Sequence, residues 1–199
     1  ELWGGTVNLE NCAVWNIGDD SIDADQGYRG TITNVLVVQG HSADAKQGSG
    51  FGDNGFEFDD AEDSDAQPRT RAAIYNATFI GHLDGDGATA WRDGAGVQYI
   101  NCIFMDCGEK VVRPDGDDGD GSAGYGHNGT LTLAQVFNTP AGTTSTVNDG
   151  GIAAAGGAAA LYTAQVGGTL SGIADSVLYN NANYSDFDSL NGARDNVIE

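Results

Sequence analysis

The chain has 199 residues, 40% of them hydrophobic, which is enough to bury the core of one domain. Its 29 acidic and 8 basic residues give a formal net charge of −21. This balance argues against a nucleic-acid partner, because affinity for phosphates comes mainly from Lys and Arg. No stretch approaches the roughly 20 apolar residues of a membrane span, so none is predicted.

Four segments that begin with asparagine recur along the chain, each followed by a short run of mainly apolar residues. They start at Asn11, Asn34, Asn76 and Asn101, at intervals of 23, 42 and 25 residues. Repeats of this length indicate a solenoid, in which each unit buries its apolar face by stacking on a neighbour. Because each copy is short and rich in β-branched residues, the sequence predicts an all-β fold, a right-handed parallel β-helix.

The first two predicted coils share one pattern. In the first, the chain runs through residues 6–17, bends, and forms a short strand at 21–25. Apolar and acidic residues alternate in that strand, as expected when one face is buried. The second coil has its strand at residues 31–38 and, after a polar excursion, repeats the acidic-apolar pattern at 54–60.

The third and fourth coils follow an acidic loop that is predicted to be a solvated insertion. Their main segments are residues 71–81 and 96–105, and each is followed by a shorter segment, at 88–92 and 111–114. A Gly/Asp loop then leads to residue 129, so residues 1–129 are predicted to form the β-helix coils.

Residues 130–199 are predicted to close the same domain as an irregular, partly helical region. Residues 150–168 are rich in Ala and Gly and favour a short helix, while Ser176–Asn180 is a strand candidate. The repeat pattern is otherwise weak in this part of the chain.

Equivalent positions of successive coils lie about 4.8 Å apart, so each repeated residue type becomes a column. The four marker asparagines are predicted to form a structural ladder of amides at a bend. A second column contains Glu1, Asp23 and Glu57, and we expect Thr89 to follow. Stacked carboxylates repel one another, so they raise one another's pKa or share a cation.

Clustered carboxylate oxygens favour hard cations, and above all Ca²⁺. The candidate ligands along this face are Asp19, Asp20, Asp23, Asp25, Glu57 and Asp59. The run D-G-D-D-G-D-G offers a separate candidate site through Asp115, Asp117 and Asp120, although it lacks the glutamate that completes an EF-hand loop. The alternative is that both regions are solvated acidic surfaces.

An enzymatic site is the competing interpretation of the acidic face. A polysaccharide lyase uses Ca²⁺ and arginine to neutralise a uronate while a base removes the neighbouring proton. The residues for such a site would be Asp23, Glu57, Arg29 and Arg92. Paired carboxylates also serve glycoside hydrolysis. We favour a structural acid–arginine ladder, because the net charge opposes binding of an anionic chain.

The three cysteines are too few for a disulfide framework. Cys12 and Cys102 fall in one column about 14 Å apart, which is too far for a bond. Cys102 and Cys107 either pair across a bend or remain buried thiols, and the second alternative is favoured.

Residues 1–116 contain, in order, the segments E-L-W-G-G-T-V-N, D-D-S-I-D-A-D-Q-G-Y-R-G, N-G-F-E-F-D-D, I-Y-N-A-T-F-I-G and W-R-D-G. These resemble a group of bacterial secreted or outer-surface β-helix proteins with the motifs D-D-G-x-E-x-x-G-G-T-V-N and D-x-D-x-G-Y-x-G. The resemblance implies export and a β-helix, and it offers no established catalytic residues. Typical members have an additional amino-terminal half, so we expect this chain to be a piece of a longer protein.

The sequence therefore predicts an exported, Ca²⁺-binding β-helix module, located outside the cell or at its surface. Its expected role is structural or binding, through cell-surface, matrix or glycan contact or self-assembly. The expected partners are polysaccharide or like chains stacked end to end. The alternative function is a polysaccharide lyase or another polysaccharide-active enzyme.

Overall fold

The computed structural model describes residues 1–40, 52–59, 70–92, 95–114, 172–182 and 197–198. Within these ranges the chain forms sixteen short strands in three sheets, and the strand pairings are parallel. No helix in this part of the chain has the length and hydropathy needed to cross a membrane.

The three sheets are designated A, B and C in the order in which the chain first enters them. Sheet A contains β1 (Leu2–Trp3), β4 (Ile22–Asp25), β7 (Phe56–Phe58), β10 (Thr89–Trp91) and β13 (Val112–Pro114). Sheet B contains β2 (Leu9–Glu10), β5 (Thr31–Thr33), β8 (Arg71–Tyr75), β11 (Gly96–Ile100) and β14 (Gly172–Ala174). Sheet C contains β3 (Ala13–Trp15), β6 (Leu36–Val38), β9 (Thr78–Ile80), β12 (Ile103–Met105), β15 (Val177–Tyr179) and β16 (Val197–Ile198).

Each coil visits sheets A, B and C in the same order and then stacks on the coil before it. The predicted right-handed parallel β-helix is confirmed. The strand candidate at Ser176–Asn180 is confirmed as β15, which continues sheet C. The predicted helix at 150–168 and the loop at 115–129 lie outside the described residues. The division at residue 129 stays a prediction.

The core is built from the inward-facing residue of each strand, because side chains alternate between the two faces of a strand. Sheet C contributes an inward column of Val14, Val37, Phe79, Phe104 and Leu178. Tyr99 of sheet B connects the sheets, with ring centroids 5.2 Å from Phe104 and 5.5 Å from Phe56. Both aromatic pairs are edge-to-face, a favourable geometry.

The prediction that Thr89 continues the column of Glu1, Asp23 and Glu57 is wrong. Thr89 pairs with Phe56 and is fully buried, so it faces the core, while Ala90 pairs with Glu57 in the outward column. Its hydroxyl accepts hydrogen bonds from the Trp91 indole at 3.0 Å and from the Tyr99 hydroxyl at 2.7 Å. The alignment was wrong by one residue, which in a strand moves a side chain to the opposite face.

The asparagine ladder is confirmed at the corner between sheets B and C. The amide of Asn34 donates to Asn11 at 3.2 Å, that of Asn76 to Asn34 at 3.1 Å, and that of Asn101 to Asn76 at 2.7 Å. All four residues have φ between 55° and 57°. Asparagine tolerates this left-handed conformation better than most residues, so the marker both turns the chain and ties successive coils together.

Both Cys102 and Cys107 are buried free thiols, as favoured from the sequence. Burial raises the pKa of the Cys102 thiol to about 11 and that of Cys107 to about 12. They therefore remain protonated and unreactive at neutral pH.

Candidate functional site

The outward side of sheet A has a first column of acids. Asp23 of β4 pairs with Glu57 of β7, which confirms that these two carboxylates are stacked. Leu2 pairs with Ala24, so the preceding residue, Glu1, stands beside Asp23 as predicted. Ala90 and Arg113 continue the same column.

A second outward column runs through Asp25, Asp59 and Arg92. The amide of Asp59 donates to the Ala24 carbonyl, and that of Arg92 to the Phe58 carbonyl, so the three residues stand on successive coils. The Arg92 guanidinium lies 3.1 Å from Glu57 Oε1 and 3.4 Å from Asp59 Oδ2. Arg92 therefore joins the two columns, as the structural-ladder interpretation requires.

A third set of carboxylates stands at the bend that precedes sheet A. Asp20 Oδ1 accepts hydrogen bonds from the Asn54 backbone amide at 2.8 Å and from its side-chain amide at 2.9 Å. Asp20 also lies beside Glu57, whose charge and hydrogen bond act on the Asp20 carboxyl and connect the bend to the first column. Asp53 of the same bend neighbours Asp86 of the next coil.

Several carboxyl groups on this side of sheet A have raised pKa values. Burial, together with the neighbouring charge and hydrogen bond of Glu57, raises the pKa of Asp20 to about 8. Burial and the charge and hydrogen bond of Asp25 raise the pKa of Asp23 to about 7. The pKa of Asp86 rises to about 6, first through burial and then through its hydrogen bond with Asp53. At neutral pH this face is therefore partly protonated.

Two groups of carboxylates approach closely enough to share a cation. One comprises Glu1, Asp23 and Asp25, the other Asp19, Asp20 and Asp53, and in each the nearest oxygens lie within 4.8 Å of one another. Ca²⁺ takes oxygen ligands at about 2.3–2.6 Å, so two ligands on opposite sides of an ion are about 5 Å apart. The spacing fits the ion.

The first group also has oxygen atoms without a hydrogen-bonding partner. Asp23 Oδ1 and Asp25 Oδ1 are both inaccessible to water, and neither of these two atoms has a hydrogen-bonding partner among the described residues, although the two carboxyl groups interact with each other. A buried carboxylate oxygen in this state is costly unless a cation or a donor satisfies it. This set of oxygen donors fits a hard cation.

The structure therefore brings together most of the predicted ligands. Glu57 adjoins Asp20, and Asp59 adjoins Arg92, whereas Asp115, Asp117 and Asp120 lie outside the described residues. Sequence reasoning missed Asp53, whereas the Gly/Asp turn that contains Asp86 is a weaker Ca²⁺ candidate from the sequence. Ser21 and Asn54 are hydrogen-bonded neighbours in adjacent coils, so the residues before them, Asp20 and Asp53, are aligned as well. Extending the column alignment two residues upstream of Gly55 would therefore have found Asp53.

Three of the four residues of the predicted enzymatic site lie on one face. Asp23, Glu57 and Arg92 are neighbours on the outside of sheet A. Arg29 follows the turn after β4 and is only 7% exposed, so its guanidinium is not displayed on that face. Its backbone amide donates to the Gly5 carbonyl of the preceding coil.

We expect the metal-free protein to lose stability as the pH rises from about 4 to about 8. Asp20 and Asp23 have folded-state pKa values of about 8 and about 7, whereas an unfolded aspartate titrates near 3.9. The folded chain thus binds more protons over this interval, so its free energy of unfolding decreases as they are lost.

Thermal melts in a chelator across the same pH interval measure this loss. Asp20→Asn cannot ionise, and we expect it to flatten the upper part of the profile, between pH of about 7 and 8. A melting temperature that rises steadily with pH would contradict the assignment.

Three parallel sheets wound in successive coils define this chain as a parallel β-helix protein. The family model for the pectate-lyase-like β-helix domain matches residues 1–173, and the chain belongs to this family. No curated protein and no solved structure matches it. The narrower resemblance, to exported bacterial β-helix proteins, stays a prediction.

Proposed function

We propose that this chain is an exported β-helix module with a structural or binding role, and that the acidic face of sheet A holds Ca²⁺. The metal assignment rests on the group formed by Glu1, Asp23 and Asp25. One oxygen of each residue lies within 4.8 Å of the others, and Oδ1 of Asp23 and Oδ1 of Asp25 are buried without a hydrogen-bonding partner among the described residues. A cation there would replace the protons that these carboxyl groups retain and would satisfy both oxygens.

The contacts of the two arginines favour a binding role over catalysis. Arg92 is engaged by Glu57 and Asp59, so neutralising a uronate would require it to leave that pair of carboxylates. Arg29 is buried beyond the turn after β4. Membership of a pectate-lyase-like family supports contact with polysaccharide, and the proposed location is outside the cell or at its surface.

Isothermal titration of the chelator-treated protein with Ca²⁺ tests the metal assignment. We expect a dissociation constant of about 10⁻⁴ to 10⁻³ M, the range of extracellular Ca²⁺ modules. Binding should release protons, so the measured heat should depend on the ionisation enthalpy of the buffer.

Two variants locate the site. We expect Asp23→Asn to weaken binding by about tenfold or more, because an amide keeps the shape of the carboxyl but removes its charge. Asp84→Asn removes one charge from an exposed position outside both groups and should bind like the parent. An equal loss of Ca²⁺ affinity in the two variants, or no heat of binding in the parent, would contradict the proposal.

A polysaccharide lyase is the alternative function, and the position of Arg92 on the acidic face is what favours it. Unsaturated products from a polyuronate in the presence of Ca²⁺, abolished by Arg92→Ala, would replace the binding role by an enzymatic one. The Ca²⁺ titration is independent of that outcome, because it requires no turnover.

A further inference from the structure

The outward side of sheet C is apolar along its whole described length. Its two outward columns, called the apolar face below, pair in register from coil to coil. They consist of Ala13, Leu36, Thr78, Ile103 and Val177, and of Trp15, Val38, Ile80, Met105 and Tyr179. None of these described outward positions is Asp, Glu, Lys, Arg or His, in a chain with a net charge of −21.

The apolar face is open to solvent towards its two ends, whereas Val38 between them is only 5% exposed. The exposed fractions are 67% for Trp15, 40% for Ile103, 38% for Val177 and 46% for Tyr179. A sheet face directed at water normally carries polar side chains, as the outside of sheet A does. Exposed apolar residues at neighbouring positions, such as Ile103, Val177 and Tyr179, mark an interaction surface.

The borders of the apolar face are polar. The amide ladder of Asn11, Asn34, Asn76 and Asn101 runs along one side and is exposed. Asn180 donates to Asp106 at 2.7 Å on the other side. An apolar centre with a hydrogen-bonding rim is the usual anatomy of a protein–protein interface.

We propose that two copies of this chain associate through the apolar face, with sheet C packed against sheet C. Two copies that each carry a net charge of −21 repel one another, and acidic surfaces cannot meet without cost. The apolar face lets them approach without opposing carboxylates. Two copies of the same sheet face can pack about a twofold axis, with the sheets about 10 Å apart.

A carbohydrate chain fits this surface less well. Sugar hydroxyls that lose water need hydrogen-bonding partners, and leaving them unpaired is costly. Thr78 and Tyr179 supply the only side-chain hydroxyls among the described outward positions of sheet C. A second apolar sheet needs no such partners.

The size of the apolar face limits the expected affinity. From the spacing of the strands and the rise per residue it measures roughly 25 Å by 10 Å. A stable interface buries about 800 Å² on each partner, so a face of this size supports a weak, reversible dimer. Its population should therefore depend on protein concentration.

Sedimentation velocity of the full chain over a concentration series, up to near-millimolar and in a chelator, tests the proposal. We expect the average mass to rise from that of a monomer towards that of a dimer and to stop there. Ile103→Glu should weaken association by about tenfold or more, because its carboxylate would be buried against the partner. Leu83→Glu adds the same charge at a position 56% exposed in the turn after β9, outside sheet C, and should associate like the parent.

Trp15→Glu at the other end of the apolar face provides a second variant, and circular dichroism verifies that each variant is folded. A parent that stays monomeric at every concentration would refute the proposal, as would association that neither variant weakens. Mass that grows beyond the dimer would instead indicate stacking through the coil ends. None of these results affects the Ca²⁺ proposal, because the measurements are made without the ion.

Discussion

Replacing Phe104 by alanine is expected to lower the free energy of unfolding by about 3–5 kcal/mol. Phe104 is fully buried in the inward column of sheet C and packs edge-to-face against Tyr99 with centroids 5.2 Å apart. Its removal leaves a cavity between coils that are held by backbone hydrogen bonds and cannot collapse into it. Chemical denaturation measures the loss.

Ile103→Ala is the matched control for that variant. Ile103 is the adjacent residue of the same strand but points outward and is 40% exposed, so its truncation should cost about 1 kcal/mol or less. Measurement at low protein concentration keeps self-association out of the comparison. Equal losses for the two variants would mean that the assigned inward and outward faces of β12 are wrong.

Replacing Asn76 by alanine is expected to lower the free energy of unfolding by about 2–5 kcal/mol. Asn76 has φ of 55°, where an ordinary side chain costs about 1–2 kcal/mol, and it makes two ladder hydrogen bonds worth about 0.5–1.5 kcal/mol each. Both terms contribute because the residue turns the chain and also connects coils.

Asn76→Gly separates these two contributions. Glycine adopts positive φ without strain, so this variant should lose only the ladder hydrogen bonds and cost about 1–3 kcal/mol. If glycine and alanine destabilised the protein equally, the left-handed conformation would not be what asparagine contributes at this corner.

The proposed metal and dimer sites use different sides of the same solenoid. Sheet A displays Asp23 and Glu57 outward, whereas sheet C displays Ile103 and Val177. Because each column repeats one position of the coil, a preference for acid or apolar residues at that position becomes a continuous surface. A β-helix can therefore hold an acidic and an uncharged face at once.

The amino-acid sequence by itself determined the coil and its main columns. The spacing of Asn11, Asn34, Asn76 and Asn101 and the alternation at residues 21–25 depend on local backbone preferences and on the two-residue period of a strand. Those rules act within one coil, so they can be recognised from short segments. They were sufficient to place Glu1, Asp23 and Glu57 on one side of sheet A.

Only the tertiary structure decided which of these groups interact and which surfaces stay open. It placed Thr89 in the core, joined Arg92 to Glu57 and Asp59, and brought Asp53 to Asp20. It also left the apolar side chains of Trp15 and Ile103 exposed. These outcomes depend on the register between coils. A shift of one residue turns every side chain of a strand to the opposite face, and local sequence preferences hardly distinguish the two registers.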